Sequence, residues 1–91
     1  MSNLHRARDS IAFAIKQIDS EMSKPDPIVS RDDLAFARSI LADYLHLVNA
    51  DDLPSQHARP SLLGRMVTDS WPLRSDLSEA IIKAEHAYRS V

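Results

Sequence analysis

The residues of this chain best suited to acid–base work or metal binding are its four histidines, His5, His46, His57 and His86. No two of them are four apart, the spacing that sets two imidazoles on one helix face, and no His-Glu-x-x-His run is present. Asp43 and His46 lie three apart, close enough to share a cation or for the carboxylate to orient the imidazole. Two ligands are too few for zinc, and a solvated helix face accounts for the pair, so no metal ligand is assigned. Glu85 and His86 are neighbours that project about 100° apart on a helix and cannot act together from one face. The acidic pairs Asp32-Asp33 and Asp51-Asp52 are explained by a helix N-terminus and by a loop.

Other chemistries fail on composition. With no cysteine there is no thiol nucleophile, disulfide or cysteine zinc site. A single glycine, Gly64, cannot build a phosphate-cradling loop or a dinucleotide fingerprint, and no Gly-x-Ser-x-Gly turn poises a serine. Calcium would need a run of oxygen ligands around a glycine-centred turn. The expectation is a protein with no catalytic residue, cofactor or metal; a small enzyme or metal-binding protein is kept as an alternative.

Charge bears on nucleic acid and membrane. Eleven basic and thirteen acidic residues leave a net charge of −2, spread evenly along the chain, without a basic tail that would attract phosphate. A helix-turn-helix could be drawn from the segment around Gly64 to the last helix, with Arg65, Arg74, Lys83 and Arg89 as its phosphate contacts. Asp76 and Glu79 would then open the recognition helix, where they oppose binding. A DNA-associated regulator of the antitoxin type therefore stands as an alternative. No 18-residue apolar run is present, and residues 1–8 lack the basic-then-apolar order of a secretory signal, so no membrane association and a cytoplasmic location are expected.

The elements that must position these side chains are helical. At 91 residues, with 44% hydrophobic and 26% charged residues, the chain has the composition of one globular domain, residues 1–91. From about Asn3 to Ser23, Leu4, Ala7, Ile11, Ala14, Ile15, Ile18 and Met22 share one helical face, and Phe13 falls opposite. Lys24-Pro25-Asp26-Pro27 ends that helix, because proline disfavours helical geometry before it and has no donor. Ser30-Arg31-Asp32-Asp33 opens a second helix to about Ala50, with Leu34, Ala37, Leu41, Tyr44, Leu45 and Val48 on one face. Phe36, Ile40 and Leu47 widen its apolar arc well beyond the roughly 100° that an edge helix needs.

Residues 51–58 read as a loop. Pro60 can start a short helix carrying Leu62, Leu63, Met66 and Val67, and Trp71 follows as a plug between helices or as a partner contact. Asp76-Leu77-Ser78-Glu79 has capping-box spacing and opens a last helix with the stripe Leu77, Ala80, Ile81, Ala84, Ala87, Tyr88 and Val91. Glu79–Lys83 and Glu85–Arg89 are correctly oriented i,i+4 pairs, and Ile82 points away from the stripe.

The pattern predicts an all-α bundle of three long helices plus one short helix, with helix two either central or at a dimer interface. Phe13, Phe36, Ile40, Leu47, Ile82 and Trp71 are left over once each stripe is assigned. They suggest contact with a protein partner, most simply a second copy. The expected function is a non-catalytic interaction module: a small adaptor, inhibitor or regulatory subunit acting through helix surfaces.

Overall fold

A run of twenty residues without glycine or proline, Asn3–Met22, forms α1. The computed structural model describes residues 3–27, 29–50, 63, 65–67, 71 and 76–91. Ala7, Ile11, Ala14 and Ile18, spaced three and four apart, line the fully buried side of α1, with Leu4, Ile15 and Met22 half-buried beside them. Past Met22 the chain tightens: the Ser23 amide donates to Asp19 O at 3.2 Å, the Lys24 amide to Glu21 O at 3.1 Å, and Pro25 follows.

Helix α2 spans Arg31–Asn49. Ser30, in extended geometry, caps it by accepting the Asp33 amide hydrogen at 3.2 Å, and Asp32 and Asp33 lie at the positive end of the dipole. Arg31 reaches back from this first turn. Its guanidinium donates to Met22 O at 3.4 Å and to Lys24 O at 2.7 Å, so the start of α2 occupies carbonyls left open at the end of α1. Arg38 and Asp19 join the same two helices with a forked contact at 2.6 and 3.3 Å. Both side chains are substantially exposed, so water and salt weaken that link.

A short helix, α3, is described at residues 65–67, and Leu63, Val67 and Trp71 around it are buried. Helix α4 spans Asp76–Ser90, with Leu77, Ala80, Ile81, Ala84 and Tyr88 turned inward. The architecture is thus the all-α bundle of three long helices and one short one that the periodicity implies. The loop expected at residues 51–58, as well as Pro60, Leu62 and Gly64, lies outside the described residues.

Among the described elements α1 is the middle helix. It packs along both α2 and α4, whereas α2 and α4 touch in few places. Alanines at 7, 14, 80 and 84 let helix axes approach closely, and the buried apolar side chains form one cluster. Of the two places the sequence left open for helix two, the centre is taken by α1. That leaves α2 as a flank, which meets α4 at the stacked rings of Tyr44 and Tyr88, whose centroids lie 4.0 Å apart at 6°.

Candidate functional site

Glu85 lies in the α4 stripe, four residues after Ile81 and three before Tyr88, and is only 3% exposed. Its Oε2 accepts hydrogen bonds from the Tyr44 hydroxyl and from the Leu63 amide, each at 2.9 Å. One carboxyl oxygen therefore joins α2, α4 and the segment leading into α3. Burial in the first place, and then the charge of Glu85, push the Tyr44 phenol well above its ordinary range and hold it as a hydrogen-bond donor. Glu85, expected from its spacing to be an i,i+4 partner of Arg89, lies inside the fold. Its signal in the sequence was its place between Ile81 and Tyr88, but its partners, 22 and 41 residues away, cannot be read from local spacing.

Glu85 is engaged by the Tyr44 hydroxyl and the Leu63 amide, and it lines neither of the two hollows described below. Trp71, 5% exposed, belongs to the core, with its amide donating to Val67 O at 3.0 Å and its Nε1 buried without a hydrogen-bond partner among the described residues. Asp43 and His46 are exposed, and no group of three or more candidate metal ligands occurs among the described residues. His5 is held by Arg8 one turn on; His57 lies outside the described residues.

The surface is more informative. Phe13 is 55% exposed on α1, Phe36 48% on α2 and Ile82 38% on α4. Ile40 and Leu47 share the outer arc of α2 with Phe36 but are half-buried, packed against the core from its side. Of the basic residues proposed for nucleic acid, three are among the described residues. Lys83 and Arg89, both exposed, are six residues apart and so point about 120° from each other around α4. Arg65 is exposed near α3, and Arg74 lies outside the described residues.

Helices α1 and α4 run antiparallel with an open groove between them. Asp9, Ser10, Phe13 and Gln17 face Asp76, Glu79, Ala80 and Lys83 around a hollow of about 570 Å³. Arg6, Asp9 and Ser10 face Lys83, His86, Ala87 and Ser90 around a second of about 730 Å³. Phe13 is thereby a leftover apolar residue set in a shaped surface. No protein-family model matches the chain, and no curated protein matches it either.

Proposed function

We propose that the protein is a non-catalytic interaction module, an adaptor, inhibitor or regulatory subunit, that works as a homodimer through its helix surfaces. The observation that carries this reading is the exposure of one large apolar side chain on each long helix, Phe13, Phe36 and Ile82, beside a core that closes without them. Single exposed apolar residues are ordinary. Phe13 is more than that, because it stands in a groove. Among the described residues no helix is long and apolar enough to cross a membrane. The cytoplasm is the compartment we assign, on the lack of cysteine.

The test is a triple variant, Phe13→Ser with Phe36→Ser and Ile82→Ser. It should keep the far-ultraviolet circular dichroism of the wild type and melt close to it, since substitutions at exposed positions usually change stability by no more than about 0.5 kcal/mol. In sedimentation equilibrium the wild type should self-associate at high micromolar concentration and the triple variant should not. A variant that unfolds would show that these side chains serve the protomer, and the reading would fall.

A further inference from the structure

The α1/α4 groove differs at its two ends. At the end near the start of α4, Phe13 stands as an apolar knob beside Asp76 and Glu79. At the other end Arg6 and His86 flank a hollow in which Ser10 and Ala87 supply only short side chains. Asp9 and Lys83 lie in both hollows, midway along. One end therefore carries a knob with acids, the other a recess with a guanidinium and an imidazole.

We propose that this groove is the face through which two copies of the chain associate, antiparallel about a two-fold axis at the level of Asp9 and Lys83, each Phe13 seating in the recess of the other copy. The proposal rests on the homodimer reading above and says which face carries it. A two-fold axis across the groove lays α1 on α1 and α4 on α4 with their ends reversed, so Phe13 of one copy lies over Arg6 of the other and Glu79 over His86, each contact occurring twice, while Asp9 and Lys83 lie near the axis beside their own mates. The register agrees on both helices. Phe13 lies seven residues from Arg6, and His86 seven from Glu79, so knob and recess are about 10 Å apart along each helix and superpose after the rotation.

A second copy fits better than other occupants. A uniformly charged ligand would be drawn to one end of the groove and repelled by the other, whereas the groove carries its own complement. The outer face of α2 offers Phe36 without a charge pattern that reverses along it, and Ile82 stands alone among the exposed large apolar residues of α4. The face is small, about 20 Å long and two helices wide, or roughly 400 Å² per copy and 800 Å² in total, below the roughly 1,200 Å² at which stable interfaces begin and in the range of weak, transient ones. The dimer should be weak and sensitive to salt, because its flanking charges are exposed.

The experiment is sedimentation equilibrium at low salt on the full chain and on variants at exposed positions, with circular dichroism to check that each remains folded. Phe13→Ser should weaken dimerisation on the order of a hundred-fold or more, since two rings leave the interface. Reversing the basic end (Arg6→Glu with His86→Glu) or the acidic end (Asp76→Lys with Glu79→Lys) should each weaken it about ten-fold or more, and combining the two reversals should restore it. A wild type that dimerises while Phe13→Ser and both reversals leave the constant unchanged overturns this face and leaves the homodimer reading standing. A monomeric wild type overturns both.

Discussion

Glu85 puts a carboxyl group where an apolar side chain would continue the stripe of α4, and it is tolerated there because Tyr44 and the Leu63 amide bring donors to it. The arrangement holds three parts of the chain in register, so its loss should show as stability. Tyr44→Phe removes the hydroxyl and keeps the ring stacked on Tyr88; it should cost about 1 to 3 kcal/mol in urea unfolding. The same residue gives a pH dependence. An unfolded phenol ionises near pH 10, whereas Tyr44 in the fold stays protonated beyond that. Above about pH 10 the unfolded state therefore holds fewer protons, and folding stability is lost as pH rises. The difference between wild type and Tyr44→Phe should shrink through that range; a constant difference from pH 7 to pH 11 would contradict the assignment. Little of this was legible beforehand, since the i,i+4 spacing of Glu85 to Arg89 does not tell whether the carboxyl is buried and the pairing with Tyr44 is tertiary.

The elements were far more legible, because helix periodicity and capping are local. Ser30 followed by two acids announces the start of α2, and Lys24-Pro25 announces the end of α1. Ser30→Ala should lower stability by about 1 kcal/mol, read from the thermal or urea midpoint, by leaving the Asp33 amide without its acceptor. The arc of α2 was legible as a pattern and not as an environment. Phe36, Ile40 and Leu47 look equivalent on a helical wheel, yet only Phe36 is largely exposed, because the other two lean toward the core. Leu47→Glu should consequently destabilise the fold, while Phe36→Ser should leave its melting curve nearly unchanged. Equal losses from both would show that Phe36 is covered within the protomer.

At the scale of the whole molecule, the order of the helices in space decides what is left for function. With α1 in the middle, α2 and α4 become flanks, and α1 shares an antiparallel groove with α4. No local pattern contains that pairing. The sequence shows that Phe13 is off the core stripe, but not that Asp76 and Glu79 stand across from it or that Arg6 stands with His86. The claim that this protein works by associating through its helix surfaces is tested most directly by the mass of the unmodified chain in sedimentation equilibrium across the micromolar range. A reversible rise from one to two chain masses with concentration, reduced by added salt, is the predicted result. A single chain mass at every concentration up to the high micromolar range would contradict it.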